Sequence, residues 1–287
     1  MSDFAHDLET SITRDVTAAL AEDVGGGDLT ASLIPAGARG KACVITHIDG
    51  ILAGRDWFTR AFTELDPDCE IFWHANDGDK IIVSQPICEV VGNARAMLTA
   101  ERSALNFLQT LSAVATKTKR YVARVADTPA KVFDTRQTLP GLRMAFKYAV
   151  RVGGGNNHRM GLYDGILIKE NHIVAAGGIK AALDAAHHLV QHQAAADTMI
   201  EIEVANRVQL QEALACGAKM ILLDNFKLDA LADAVNLSRG RAQLEAAGGI
   251  NLNTIRAIAE TGVNRISVSA LTKDVHALDL SMRFKLH

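Results

Sequence analysis

The spacing of hydrophobic positions changes character part-way along the chain. From Phe4 to about Glu22 the apolar residues recur at helical intervals, and Gly25-Gly26-Gly27 ends the pattern. Short alternating or β-branched runs follow at Lys41–His47, Glu70–Ala75 and Lys80–Val91, separated by turn signals such as Asp77-Gly78-Asp79. Arg95 to about Ala126 reads as one long helical stretch or two, with Leu98, Leu105, Leu108 and Leu111 on its apolar face.

A different rhythm then sets in. Apolar runs predict strands at Lys131–Thr135, Gly165–Lys169, Met199–Val204, Met220–Asp224, Gln243–Ala247 and Arg265–Ala270. Helical patterns lie at Lys180–Gln191, Arg207–Cys216, Leu228–Leu237 and Asn253–Thr261. The last four strand starts are 21, 23 and 22 residues apart, about the shortest chain that holds a strand, a helix and two tight loops. Repeated βα units give a parallel sheet. No GxGxxG turn appears, which favours a closed or nearly closed (β/α) barrel over an open doubly wound sheet. All five prolines lie in the first half, so the chain reads as two domains of different architecture.

Composition narrows the function classes. The chain has 287 residues, 48% hydrophobic and 22% charged, with room for a real core. Its net charge of −3 gives no global basic field for nucleic acid or an anionic membrane. No apolar run approaches the ~20 residues of a membrane span, and Met1–Asp7 lacks a signal pattern. Cys43, Cys69, Cys88 and Cys216 show neither CxxC pairing nor metal spacing, as expected of buried thiols in a reducing cytoplasm.

The candidate chemistry lies at the strand ends, where barrel enzymes place it. The runs finish in Asp134-Thr135-Arg136, Lys169-Glu170, Glu203, Asp224-Asn225, Gly248-Gly249 and Ser269. From Asp134 to His172, six Lys or Arg stand against three Asp or Glu. Arginine forks bind carboxylates and phosphates in a bidentate way, so the block implies a small, multiply charged anion. Glu203 and Asp224 are the opposing acids, suited to Mg²⁺, ribose hydroxyls or a developing cation. Glu201 shares its strand face with Glu203, and the pattern does not separate the two. Gly248-Gly249 and Ser269-Ala270 follow the last two strands, where barrels often bind phosphate.

Several segments resemble the quinolinate phosphoribosyltransferase (decarboxylating) family, also called nicotinate-nucleotide pyrophosphorylase. They are Gly27-Asp28-Leu29-Thr30, Glu101-Arg102-Ser103-Ala104-Leu105-Asn106, Thr135-Arg136-Gln137-Thr138-Leu139-Pro140-Gly141-Leu142-Arg143, Gly153 to Leu162, Leu167-Ile168-Lys169-Glu170-Asn171-His172 and Leu222-Leu223-Asp224-Asn225-Phe226. They come in the family's order over nearly the whole chain. The resemblance implies an N-terminal α/β sandwich over 1–114, an incomplete (β/α) barrel over 115–272, and a tail, 273–287, returning to the first domain. It implies transfer of phosphoribosyl from 5-phosphoribosyl 1-pyrophosphate to quinolinate, with Mg²⁺. The products are nicotinate mononucleotide, pyrophosphate and CO₂, a step of de novo NAD biosynthesis.

The resemblance also assigns residues. Thr135, Arg136, Gln137, His158, Arg159 and Lys169 match substrate-binding positions, Lys169, Glu203 and Asp224 the catalytic ones. The last two would also serve ribose and metal, which favours Glu203 over Glu201. Ala247-Gly248-Gly249 and Val268-Ser269-Ala270 match a phosphate cradle. Arg102 matches an arginine that reaches the neighbouring subunit's site in a homodimer. One turn after Leu98 and three residues before Leu105, it is expected on their buried side. Three positions depart from the family pattern: Gln137 replaces a lysine, Ala247 a serine and Ser269 a glycine. Three other readings stay open: a Schiff-base barrel enzyme using Lys169, a non-catalytic phosphoribosyl-ligand sensor, and a phosphoribosyltransferase acting on nicotinate.

Overall fold

The computed structural model describes residues 4–192 and 198–286. The chain forms two compact units: Met1–Lys119 with Thr138–Gly154 and Leu271–His287, and Arg120–Gln137 with Gly155–Ala270. Residues 138–154 thus group with the first unit, whereas the sequence boundaries of 115–272 assign them to the barrel.

In the first unit, α1 (Phe4–Val24) is followed by β1 (Arg39–Thr46), β2 (Gly50–Ile51), α2 (Arg55–Leu65), β3 (Glu70–Trp73), β4 (Lys80–Ile81), β5 (Pro86–Asn93) and α3 (Ala94–Val125). The sequence reading missed α2. Its Trp57, Phe58, Ala61 and Phe62 repeat at helical spacing and are fully buried. The predicted strand over 80–91 is two strands, broken where Ile82 N–H turns to the Gln85 side chain and Ser84 adopts φ +67°. Arg95–Ala126 is one helix, not two.

A four-stranded antiparallel sheet runs in the order β12-β1-β5-β3, where β12 (Leu280–Leu286) is the C-terminal tail. The tail therefore returns to the first unit, pairing from Gly40↔Leu286 to Thr46↔Leu280. Gly40 makes room for it: a Cβ there would lie 2.4 Å from the Phe284 ring. Residues of the predicted basic block form α4 (Arg143–Val152) in this same unit, where Tyr148 stacks near Trp57 and Lys147 is fully buried. Arg143, Lys147 and Arg151 are thus not on the unit that carries Arg136, Arg159 and Lys169.

The second unit is built from β6 (Lys131–Phe133), β7 (Gly165–Ile168), α5 (Glu170–Ala176), α6 (Ile179–His192), β8 (Met199–Val204), α7 (Arg207–Ala215), β9 (Met220–Asp224), α8 (Leu228–Ser238), β10 (Gln243–Ala247), α9 (Ile255–Glu260) and β11 (Arg265–Ser267). Its six strands are all parallel, in the order β6-β11-β10-β9-β8-β7. Ile202, Val204, Ile221, Leu223, Leu244, Ala246 and Ile266 are buried on the helix-covered face. Glu201, Glu203, Asp224, Glu245, Arg265 and Ser267 alternate with them and share the other face. Among the described residues no strand joins β6 to β7. The free edge of β6 carries only a single bridge, Phe133↔Asn156. The barrel is incomplete, as the resemblance implied, and the closed form is excluded.

Candidate active site

The second unit gathers most of the predicted site at the C-terminal ends of its strands. Lys169 follows β7 and caps α5, its backbone N–H donating to His172 Nδ1 at 3.0 Å. Its ammonium lies 3.1 Å from Glu203 Oε2 at the end of β8, with the lysine half exposed and the glutamate largely covered. Asp224 ends β9, in register with Ala247 at the end of β10. The Asn225 amide donates to Asp224 Oδ2 at 3.0 Å. Asn225 itself adopts φ +56°, a strained choice for a residue with a side chain.

Gly248 and Gly249 both have positive φ, +100° and +59°. Such a turn leaves backbone N–H groups unobstructed by side chains. Val268 N–H bonds to Phe133 O at 2.9 Å, which ties the loop after β11 to β6. Thr135 Oγ1 accepts from Gln137 N–H at 3.0 Å, and the Gln137 side chain is exposed. The predicted Ala247–Gly249 and Val268–Ala270 loops thus follow neighbouring strands, β10 and β11.

One layer deeper lies a buried ionic cluster, in which the sequence reading named His158 and Glu201 but not Glu245 and Arg265 as candidates. His158 and Glu201 meet at 2.8 Å, His158 Nε2 to Glu201 Oε2. Glu245 stands 3.7 Å from the same nitrogen, and its other oxygen accepts from Arg265 Nε at 2.6 Å. The Arg265 guanidinium lies 3.8 Å over the Phe133 ring. Burial, and then the Glu201 carboxylate beside it, push the Glu245 carboxyl above the usual range.

His158, Glu201 and Glu245 have the donor types of a metal site. The hydrogen bonds argue otherwise. Arg159 N–H donates to His158 Nδ1 at 2.8 Å, so that nitrogen carries no proton. The ring proton sits on Nε2, the atom that faces the carboxylates, and a protonated nitrogen has no lone pair for a cation. For the same reason His158, predicted as a substrate contact, spends both ring nitrogens on the protein.

Arg159 stands at the margin of this cluster. Its Nη1 donates to Gly165 O at 2.9 Å. Burial, and then the neighbouring Arg136 guanidinium, push Arg159 below the usual guanidinium value. Two cations that repel each other mark a place prepared for anionic charge. Glu203 and Asp224 supply hard oxygen donors at the open strand ends, a set that fits a Mg²⁺ ion sharing its shell with water and phosphate.

Arg102 lies in the first unit and is exposed, contrary to the buried position expected. At about 100° per residue it falls beside Asn106, also exposed, and away from Met97, Ala104 and Leu108 at the centre of the apolar stripe. Leu98 was a misleading guide, because it sits on the stripe's edge and is only half-buried. Arg102 lines a cavity of about 290 Å³ together with Glu22, Asp23, Asn106 and Phe146, all in the first unit. A second cavity, about 300 Å³, opens in the second unit beside Arg207, Asn225 and Phe226. Lys169, Glu203 and Asp224 do not line it, so the chemistry is placed on the strand ends.

An incomplete parallel (β/α) barrel with cations and acids on one rim defines an enzyme that handles small phosphorylated or carboxylated anions. Residues 28–112 match the quinolinate phosphoribosyl transferase N-terminal domain, and residues 114–283 the C-terminal domain of the same enzyme. The chain is 43% identical over 265 residues to a probable nicotinate-nucleotide pyrophosphorylase [carboxylating] of Bacillus subtilis, covering 91% of this chain and 89% of that one. It is 39% identical over 282 residues to quinolinate phosphoribosyltransferase [decarboxylating] 1b of Nicotiana tabacum, covering 92% and 80%. The solved nicotinate-nucleotide pyrophosphorylase of Francisella tularensis superposes with a TM-score of 0.91 at 43% identity, over 96% of each chain. The chain belongs to the quinolinate phosphoribosyltransferase family.

Proposed function

We propose that the protein transfers the phosphoribosyl group of 5-phosphoribosyl 1-pyrophosphate to quinolinate with decarboxylation, the step that feeds de novo NAD biosynthesis. The observation that carries this reading is the rim of the second unit. Arg136 and Arg159 repel each other there, while Lys169 pairs with Glu203 3.1 Å away. A dicarboxylate and a pyrophosphate ester carry negative charge of the kind that neighbouring guanidinium and ammonium groups bind.

The chemistry follows from that arrangement. The C1′–oxygen bond breaks, its electron pair leaves on pyrophosphate, and positive charge develops on the ribose. Glu203 and Asp224 would stabilise that charge as preorganised carboxylates. The pyridine nitrogen supplies the electron pair of the new bond to C1′ and becomes cationic. The bond to the C2 carboxylate then breaks, its electron pair stays on C2 beside the cationic nitrogen that stabilises it, CO₂ leaves, and C2 takes up a proton. Arg136 and Arg159 orient the carboxylates, and the Gly248-Gly249 backbone cradles phosphate. Glu203 and Asp224 would hold Mg²⁺, which lends charge to the departing pyrophosphate when bound.

Lys169 is half exposed and paired to a carboxylate. A Schiff-base nucleophile needs the opposite environment, an amine desolvated in an apolar pocket. We place the enzyme in the cytoplasm, a reading its four free thiols support. We further propose a homodimer in which the exposed Arg102 completes the partner's site. Pyrophosphate release from 5-phosphoribosyl 1-pyrophosphate, followed with quinolinate and then with nicotinate, tests the assignment. Turnover with quinolinate alone is expected. Equal or faster turnover with nicotinate sinks it.

A further inference from the structure

The buried His158 ring connects a fully buried acid, Glu201, to the backbone of Arg159. Glu201 is fully buried on β8, one pleat below Glu203. Its Oε2 accepts from His158 Nε2–H at 2.8 Å. On the far side of the ring, Nδ1 accepts from the backbone N–H of Arg159, also at 2.8 Å. The segment is pinned again just before the ring. His158 N–H donates to Asp134 Oδ1 at 2.8 Å, and the Asn157 amide to Asp134 Oδ2 at 2.6 Å.

The direction of these bonds matters. A backbone N–H can only donate, so Nδ1 must be the bare nitrogen and Nε2 must carry the proton. An acceptor opposite Nε2 enforces that choice, and Glu201 is the acceptor in place. With Glu201 gone, the proton is free to sit on Nδ1. Two donors would then face each other, and the Arg159 N–H, in a half-buried loop, would lose its partner. The loss falls on the residue whose guanidinium is held at Gly165 O beside Arg136.

We propose that Glu201 is a positioning residue for the anion site: by fixing His158 as the Nε2–H tautomer it sets the backbone of Arg159, and so the approach of that guanidinium to a substrate carboxylate. Glu201 and His158 act through Arg159 and do not contact substrate. The inference rests on the proposed quinolinate reaction for its kinetic consequence and on geometry alone for its tautomer. Outer groups that orient ligand-holding histidines elsewhere act in the same way, on the tautomer and the ring angle.

The experiment has two arms that fail independently. The first is ¹⁵N NMR of imidazole-labelled protein without substrate, with the His158 signals assigned by their loss in His158→Gln. Wild type should show bare Nδ1 and protonated Nε2. Glu201→Gln keeps an acceptor oxygen for Nε2–H and should keep that pattern. Glu201→Ala should show a mixture of tautomers. A wild-type His158 with protonated Nδ1 overturns the proposal, whatever the variants do.

The second arm is kinetic. Glu201→Ala should raise KM for quinolinate about tenfold or more while KM for 5-phosphoribosyl 1-pyrophosphate moves less than about threefold. Glu201→Gln should restore most of the loss. Equal rises in both KM values in a folded Glu201→Ala protein overturn the link to Arg159. If Glu201→Ala does not fold, the wild-type spectrum and Glu201→Gln decide: mixed tautomers in Glu201→Gln with an unchanged quinolinate KM overturn it. A wild-type enzyme inert toward quinolinate would contradict the reaction and leave the tautomer result standing on its own.

Discussion

The Asn225 side chain occupies the space that a side chain at Gly248 would need. A Cβ on Gly248 would lie 2.1 Å from Asn225 Oδ1 and 2.6 Å from its Cγ. The same asparagine donates to Asp224 Oδ2, and its backbone N–H reaches Ala247 O at 2.9 Å. One residue in the left-handed region therefore ties Asp224 to the Gly248-Gly249 loop on the next strand.

Gly248→Ala should accordingly damage the site more than Gly249→Ala. Both positions have positive φ, which costs about 1–2 kcal/mol for an alanine. Only Gly248 also displaces Asn225, since nothing lies within 4 Å of a Cβ on Gly249. Steady-state kinetics should show kcat/KM for 5-phosphoribosyl 1-pyrophosphate falling at least about tenfold further in Gly248→Ala, roughly 1.4 kcal/mol more. Equal losses would separate the loop from Asn225.

On the proposed mechanism the two rim acids act on charge that exists only in the transition state. Glu203→Ala and Asp224→Ala should each lower kcat more than they raise KM, by about 2–4 kcal/mol of barrier. Removing Glu203 also frees Lys169, so a double-mutant cycle with Lys169→Ala should be non-additive. Losses confined to KM would make the acids ground-state contacts.

Glu245 gives stability a pH signature. Its folded-state pKa is raised, so the folded protein holds this proton more tightly than the unfolded chain does. The stability it contributes is complete below the unfolded value of about 4.5 and is lost as pH climbs toward the raised folded value. Glu201, His158 and Arg265 are the charged or titratable neighbours it faces. Glu245→Gln keeps an acceptor for Arg265 and removes the titration. Its Tm should fall less than that of wild type between about pH 5 and pH 8. Parallel Tm curves would show that Glu245 is already ionised in the folded protein.

Arg102 tests the assembly. Arg102→Ala chains and Lys169→Ala chains should each be nearly inactive alone. If each site takes Arg102 from one protomer and Lys169 from the other, mixed dimers contain one intact site. An unsorted equal mixture, co-refolded, should recover about a quarter of wild-type activity, and verified heterodimers about a half, on combinatorial grounds. No recovery would confine Arg102 to its own subunit or to a structural role.

Much of the second unit was legible, for a physical reason. Met199–Val204, Met220–Asp224 and Gln243–Ala247 coincide with their strands because a buried parallel strand is a short apolar run with a polar end. α2 went unread although its aromatic spacing, Trp57, Phe58, Ala61 and Phe62, was present. The basic run from Arg136 to Lys169 was dense in sequence and is shared between two structural units. Depth was the least legible property. Glu201 and Glu203 share one strand face and differ by about 7 Å along it, enough to separate a dry cluster from an open rim. The Arg102 misjudgement had the same origin: spacing gives a direction around a helix but not where burial ends.

The most direct test of the whole account follows the carboxyl carbon. Quinolinate labelled in its C2 carboxylate, incubated with 5-phosphoribosyl 1-pyrophosphate and Mg²⁺, should release one labelled CO₂ for each pyrophosphate formed, and none without the cosubstrate. Label in the other carboxylate should stay in the nucleotide. Pyrophosphate release without labelled CO₂, or CO₂ release without 5-phosphoribosyl 1-pyrophosphate, would contradict the coupled transfer and decarboxylation assigned to this site.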